Sequence, residues 1–287
     1  MAGRAQDVVP GEDAAARAGD EASALAPLPL VLALTTRERA RAALRAAFPR
    51  RRGRVLVVRS ADEVATTMRG ALTDVVVIDI AAPGPETERA AALAREFPSV
   101  PFVGLAPLRA GDGPALANAA MHDFADVTVD GVDDGVLRAI IAPLLFSTRF
   151  AAALWTPPPS LGLEAPLQQS AWRCVVARGG RPIRTTELAQ ALGVTREHLS
   201  RSFSSAGAPN LKRVIDLVRL LAAAELAKNP GYDVRDVARV LGFASASHLS
   251  STAQRVVGTR PASLSRLRAV DLVERFGQGR GRSRRST

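Results

Sequence analysis

The chain has 287 residues, 47% of them hydrophobic, which is enough for about two domains with packed cores. Its formal net charge of +10 is confined to residues 167–287, which hold 21 Lys and Arg against eight Asp and Glu, whereas residues 1–166 hold 17 against 20. This asymmetry predicts a module that binds a polyanion. The single cysteine excludes an intrachain disulfide, and no apolar run reaches the roughly 20 residues that a membrane span needs.

The first half of the sequence alternates short apolar runs with amphipathic segments. Residues 1–26 are rich in Ala, Gly, Asp and Glu without periodicity, so we expect a disordered tail. Over residues 27–150 the alternation predicts an open, doubly wound parallel five-stranded sheet covered by helices on both faces. Strands are predicted at 29–34, 55–58, 75–80, 100–105 and 124–129. Two helices are predicted to begin at capping boxes, one at Thr35 and one at Ser60, and three more are predicted at 86–97, 113–120 and 133–145.

The segment Asp74–Asp79 is an apolar run that both begins and ends with an aspartate. With this segment, residues 28–146 resemble the receiver domain of bacterial response regulators and the receiver or flavodoxin-like fold, and the segment looks like the third strand of that family, which ends in the aspartate that accepts phosphate. Ligands of open α/β sheets bind at the carboxyl ends of the strands, where Asp79 is expected to lie. The resemblance therefore makes Asp79 a candidate phosphoacceptor.

The other residues of a receiver phosphorylation site are missing. The acidic pair that holds Mg²⁺ after the first strand is replaced by Leu32–Thr36, the hydroxyl residue after the fourth strand by Ala106, and the lysine after the fifth strand by Val127–Asp130. One carboxylate is a poor Mg²⁺ site if it is also the nucleophile. We interpret the domain as a pseudo-receiver for dimerisation or for sensing an effector or protein, with a phosphorylation-responsive regulator using Asp79 as the alternative.

A proline-rich segment separates the two halves. Residues 151–166 include three consecutive prolines within Thr156–Ser160 and are predicted to be an extended linker. Residues 167–270 form the predicted DNA-binding domain, and residues 271–287 form a basic tail that we expect to be disordered and to add salt-sensitive affinity.

The C-terminal half contains the same short pattern twice. Leu188–Val194 is echoed by Val237–Phe243, and each copy ends its first helix near a glycine, Gly193 or Gly242, suited to the left-handed backbone. Each copy reads as helix, tight turn, helix, with a polar outer face on the second helix. This is the layout of a helix-turn-helix, whose second helix enters the DNA major groove.

These features together resemble the AraC/XylS family of bacterial transcription regulators over about residues 167–267. The motifs that carry the resemblance are the two helix-turn-helix units, Val218-Arg219-Leu220 in the connecting helix, Gly242-Phe243, and the closing Gly258-Thr259-Arg260-Pro261. The resemblance implies a cytoplasmic, nucleoid-associated, sequence-specific regulator that binds double-stranded DNA, with RNA polymerase as a further partner. We also expect a homodimer formed through the N-terminal domain.

The two copies differ in their predicted reading surfaces. The resemblance places base contacts on Glu197, Ser200 and Arg201 of the first copy, and Arg196 lies in the first turn of the same helix. In the second copy the side chains at the corresponding positions are short, and Ala253 replaces the core aromatic residue that the family resemblance leads us to expect. We therefore expect the first copy to read bases and the second mainly to grip phosphates. The candidate residues of the second copy are Ser247, His248, Ser251 and Arg255.

The sequence predicts no enzymatic activity, cofactor or metal site. It contains no nucleophile elbow, phosphate-binding loop or clustered metal ligands, and its three histidines are dispersed. An enzyme housed in the α/β domain is the alternative of a different class.

Overall fold

A computed structural model describes residue 22 and residues 25–107, 109, 111, 113–204 and 208–283. Most of the tail predicted for residues 1–26 lies outside the described residues. Its described end is packed, because Ala22 is buried and the carbonyl of Leu25 accepts a hydrogen bond of 3.1 Å from Arg178. The described end of the predicted tail is therefore ordered against the rest of the protein.

The N-terminal half is the predicted parallel sheet. Its five strands lie in the order β2-β1-β3-β4-β5, and every neighbouring pair is parallel, which is the strand order of a doubly wound flavodoxin-like fold. The prediction of the fold class is thus confirmed. The strands are β1 (Leu30–Leu34), β2 (Arg54–Val58), β3 (Val75–Asp79), β4 (Phe102–Ala106) and β5 (Asp126–Val129).

Helices cover both faces of the sheet. The capping box predicted at Ser60 is confirmed at its first contact, since the Ser60 hydroxyl accepts the Glu63 N–H at 3.2 Å. The box predicted at Thr35 is wrong: the helix begins after Arg37, and Thr35 instead donates its hydroxyl hydrogen to Asp79. The helices are α1 (Glu38–Ala47), α2 (Ala61–Gly70), α3 (Pro85–Glu96), α4 (Gly113–Ala120), α5 (Asp134–Ile141) and α6 (Phe146–Ala153).

Each strand alternates its side chains between two different cores. Val31 and Val77 belong to a core that α1 and α5 close, whereas Leu32 and Ile78 belong to a second core. That second core continues without interruption through α2 and α3 into the C-terminal helices, where it includes Trp172. The sheet and the helical half consequently share one hydrophobic core.

The C-terminal half is all helical. The helices are α7 (Pro166–Ala177), α8 (Thr185–Ala191), α9 (Arg196–Ser204), α10 (Leu211–Leu226), α11 (Val234–Val240), α12 (Ala246–Val257) and α13 (Ala269–Ser283). Helix α10 connects the two helix-turn-helix units, α8–α9 and α11–α12, and is buried along most of its length. Gly193 and Gly242 both have a φ of +63°, as predicted for the two turns.

Two segments predicted to be extended or disordered are packed instead. Residues 151–166 include a short 3-10 helix at Pro159–Leu161, and the side chains of Leu161 and Leu163 are buried. Helix α13 runs to Ser283, well inside the tail predicted from residue 271, because Leu272, Val273 and Phe276 are apolar at helical spacing and join the core. Residues 284–287 lie outside the described part of the chain.

The turn between α10 and α11 is held against α3 of the sheet domain. Tyr232 packs edge-to-face on Phe97, with ring centroids 4.8 Å apart, and donates a hydrogen bond of 3.2 Å to the carbonyl of Met68. The backbone N–H of Ser99 donates to the side-chain oxygen of Asn229 at 2.7 Å, and the N–H of Gly231 donates to the Glu96 carbonyl at 2.9 Å. The second helix-turn-helix unit is thereby docked onto the receiver-like domain.

A buried carboxylate secures a second junction between the halves. Asp74 is fully buried just before β3 and accepts the N–H of Leu30 at 2.9 Å and the hydroxyl of Ser147. The guanidinium of Arg181, in the segment between α7 and α8, lies 2.9 Å from the same carboxylate. A buried charge is tolerable when it is paired and hydrogen-bonded in this way.

Candidate nucleic-acid interface

The first recognition helix, α9, presents a polar face to solvent. Thr195 caps it by accepting the His198 N–H at 3.1 Å, and Leu199 and Phe203 face inward with no exposed surface. The predicted reading residues lie together on the opposite, exposed side: Arg196, Glu197, Ser200 and Arg201.

Arg201 has the chemistry for base readout. Its Nε donates to the carbonyl of Glu197 one turn earlier at 3.4 Å, and the residue is exposed. A guanidinium can donate two parallel bonds to O6 and N7 of a guanine, which distinguishes that base by about 1–3 kcal/mol. This helix therefore combines a rigid apolar anchor with a long, cationic outer side chain.

The second recognition helix, α12, carries shorter exposed side chains than α9 apart from Arg255. Ser245 caps it by accepting the His248 N–H at 3.1 Å. The His248 ring lies edge-on to Phe243 at 5.7 Å, and its Nδ1 accepts the Ala244 N–H at 3.3 Å. Because Nδ1 is the acceptor, the proton of a neutral ring lies on Nε2, which leaves that nitrogen as a donor. Ser247 and Ser251 are exposed beside it, and the Ser251 hydroxyl donates to the His248 carbonyl at 3.1 Å.

Arg255 has a role that the sequence did not reveal. Its Nη2 lies 3.0 Å from the carboxylate of Asp216 on the connecting helix α10, and Asp216 is 7% exposed. The predicted phosphate-gripping side chain thus also pairs with a nearly buried acid. About half of the Arg255 side chain remains exposed.

Arg219 fixes the turn of the second unit and was not among the predicted site residues. It is 8% exposed, lies with its guanidinium 3.8 Å from the centre of the Phe243 ring, and donates to the carbonyls of Leu241 and Gly242 at 3.1 Å each. Burial lowers the pKa of Arg219, and the charge of Asp216 partly offsets this. The sequence signal that could have identified Arg219 is its position as a charged residue within the apolar stripe of α10.

The carboxylate of Asp79 is occupied by other side chains of the receiver-like domain. Arg37 donates from Nε and Nη2 to its two oxygens at 2.8 Å each, and Thr35 donates to it at 2.6 Å. Arg37 also bonds to Asp130, which directly follows β5. Burial lowers the pKa of Arg37, but its bonds to Asp79 and Asp130 outweigh this and raise the pKa overall.

The charges around Asp79 are exchanged relative to a receiver. The arginine stands after the first strand, where receivers carry acids, and an acid stands after the fifth strand, where they carry lysine. Asp79 is only 2% exposed. Sequence reasoning identified the missing acids and lysine but did not identify Arg37 as their replacement.

Comparison with known proteins agrees with the helical architecture. Residues 188–266 match a family model described as "Helix-turn-helix domain", which confirms an AraC-type DNA-binding domain in the C-terminal half. A search of curated proteins gives no significant match. Among solved structures, a response regulator from Thermotoga maritima is 18% identical with a TM-score of 0.36, over 41% of this chain and 98% of that one. The assignment of the N-terminal fold rests on the strand order given above.

The protein is thus a DNA-binding transcription regulator with a receiver-like N-terminal domain. No single described helix is long and apolar enough to cross a membrane, although the bent pair Asp134–Leu144 and Phe146–Ala153 has that length and composition when combined.

Proposed function

We propose that α9 reads bases and that α12 mainly holds the DNA backbone. The observation that carries the proposal is the pair of outer faces on the matched helix-turn-helix domain: α9 offers an exposed Arg201, whereas α12 offers serines, His248 and an arginine paired with Asp216. Hydrogen bonds to base edges give sequence specificity, and contacts to phosphates fix position.

The buried connector α10 supports a two-site arrangement on one chain. A stiff helix holds two recognition helices at a constant separation, which suits successive major-groove faces about 34 Å apart. Mapping of bound genomic DNA tests the proposal. We expect discrete sites with a shared motif, and uniform binding to all sequences would contradict sequence-specific regulation.

We further propose that the receiver-like domain acts without phosphorylation. The support is the Arg37 ion pair, which uses the carboxylate that would have to attack a phosphoryl donor. We expect no incorporation of phosphate from acetyl phosphate and Mg²⁺. Labelling that is lost in Asp79→Asn would instead favour the phosphorylation-responsive alternative.

Dimerisation through the N-terminal domain is the remaining role that we propose for it. Strand β2 is at the edge of the sheet, and Leu56 on that strand is 38% exposed. An exposed edge strand can pair with a second chain. Sedimentation equilibrium of the full chain should give a dimer that Leu56→Lys weakens, whereas a monomer at all concentrations would contradict this role.

Contact with RNA polymerase is part of the proposed role as a transcription regulator and is tested by transcription in vitro from a mapped site.

A further inference from the structure

A cavity of about 360 Å³ lies where the two halves of the protein meet. Its walls come from α6 at the end of the receiver-like domain, from the connecting helix α10, and from the segment that leads into α13. Small-molecule sites are commonly clefts of roughly 300–1,000 Å³ that lie between domains. The volume of this cavity lies within that range.

The inner wall of the cavity is apolar. Phe146, Phe150 and Leu154 line it from α6 and the residue that follows, and Leu221 and Ala224 line it from α10. All five are buried in the shared core, which fixes the shape of the wall. Such a surface favours an aromatic or branched aliphatic body over a sugar or a nucleotide.

The mouth of the cavity carries a net positive charge. Arg149 and Lys228 stand at the rim with Glu225, so that two cations face one anion. Lys228 is paired with Glu225 at 2.5 Å, and the exposed Arg149 forms no ion pair with any other residue that the structure describes. A ligand with one negative group would complete this arrangement.

We propose that this cavity binds a small molecule that has an apolar body and one anionic group, such as an aromatic carboxylate. The proposal deepens the effector-sensing role given above as one interpretation of the pseudo-receiver, and rests on that role only for any effect on DNA. A ligand here would touch the receiver-like domain and the helix that joins both recognition helices. It would therefore stabilise the docked arrangement of the two halves, since it binds that arrangement alone.

Calorimetric titration of the full chain with 2-naphthoate, without DNA, tests the site. We expect one saturable site with a Kd on the order of 1 mM or tighter, as suits a ligand of this size. The neutral 2-naphthamide should bind more weakly. Because no DNA is present, the outcome of this titration does not depend on whether α9 reads bases.

Two neighbouring alanines of α6 provide a matched pair of variants. Ala153 lines this cavity, whereas Ala152 lines a separate apolar depression near Pro27 and Trp155, and both are exposed. Ala153→Phe should fill the cavity and weaken binding of 2-naphthoate by at least about tenfold, while Ala152→Phe should leave it within about twofold of the wild type.

Arg149→Gln tests the charge without touching the core. It should weaken 2-naphthoate by about two- to fivefold and leave 2-naphthamide unchanged, because an exposed ion pair contributes only modestly. The proposal is overturned by the absence of saturable naphthoate binding to the wild type. It is also overturned if Ala152→Phe and Ala153→Phe act equally, or if Arg149→Gln weakens both probes to the same extent.

Discussion

The guanidinium of Arg37 clasps the carboxylate of Asp79, with Nε and Nη2 each 2.8 Å from one of its oxygens. The same guanidinium reaches Asp130, so one cation joins the carboxyl ends of β3 and β5 through the loop after β1. Bidentate pairs of this kind are among the strongest hydrogen bonds in proteins. The carboxylate that the sequence resemblance makes a candidate phosphoacceptor is therefore paired with a cation of the protein itself.

Removal of this internal cation should destabilise the protein. Arg37→Ala leaves the carboxylates of Asp79 and Asp130 close together and nearly without exposed surface. We expect the free energy of unfolding to fall by about 2–4 kcal/mol, below the full range for a buried pair because Arg37 is partly exposed. Urea denaturation checks this, with the exposed Arg45→Ala as the control; equal effects of the two changes would contradict a stabilising role for the pair.

The single tyrosine should resist ionisation while the protein is folded. Burial raises the pKa of Tyr232 above its ordinary value of 10.0, and the charge of Asp236 adds to this. The folded state therefore binds this proton more tightly than the unfolded state. The contribution of this proton to the free energy of unfolding is fully present below about pH 10. It is lost as the pH rises toward the pKa that Tyr232 has in the folded protein.

Ultraviolet difference spectroscopy can follow this ionisation, because Tyr232 is the only tyrosine. Tyrosinate should appear only together with unfolding above about pH 10. Tyr232→Phe should remove this contribution to the pH dependence and cost about 0.5–1.5 kcal/mol at neutral pH through loss of the bond to Met68. Ionisation near pH 10 in a folded protein would show that the ring is not buried between the domains.

The junction at Gly231 should tolerate no side chain. A Cβ added there would lie 2.4 Å from Cζ of Phe97, whose ring is fully buried. Gly231→Ala should therefore lower the free energy of unfolding by about 1–3 kcal/mol. Gly70→Ala is the control, since an added Cβ there meets nothing within 4 Å and should be neutral or slightly stabilising. Equal behaviour of the two variants in denaturant titrations would argue against tight docking.

Arg255 should affect both folding and the salt dependence of DNA binding. If its half-exposed side chain contacts a phosphate, Arg255→Ala lowers the salt slope of the binding constant by about 0.9 and weakens all DNA sequences alike. Asp216→Asn is the matched change, because it removes the ion pair and keeps the arginine. A loss of stability in Arg255→Ala with an unchanged salt slope would mean that the residue is only structural.

The fold class could be predicted from the sequence because the apolar residues follow clear strand and helix patterns. Continuous apolar runs marked β1 and β3, and the glycines at 193 and 242 marked the two turns, which the observed φ angles confirm. The error at residues 271–283 has a physical cause. Gly and Arg dominate the end of α13 and obscured the helical spacing of its apolar residues, and the contact of Phe276 with Arg213 joins positions far apart in the sequence.

The site was harder to predict where it depends on pairs distant in sequence. Arg37 and Asp79 are 42 residues apart, and Asp216 and Arg255 are 39 apart. Each residue by itself looks like an ordinary charged residue of a loop or helix. The exposed face of α9, by contrast, followed from helical spacing within nine residues.

The most direct measurement of the division between the two recognition helices is selection of bound sites from randomised DNA by the wild type, Arg201→Ala and Ser251→Ala. Wild-type protein should enrich a defined motif. Arg201→Ala should lose about 1–3 kcal/mol of discrimination at one base position, whereas Ser251→Ala should retain the motif with lower overall affinity. Equal loss of sequence preference in both variants would contradict the account.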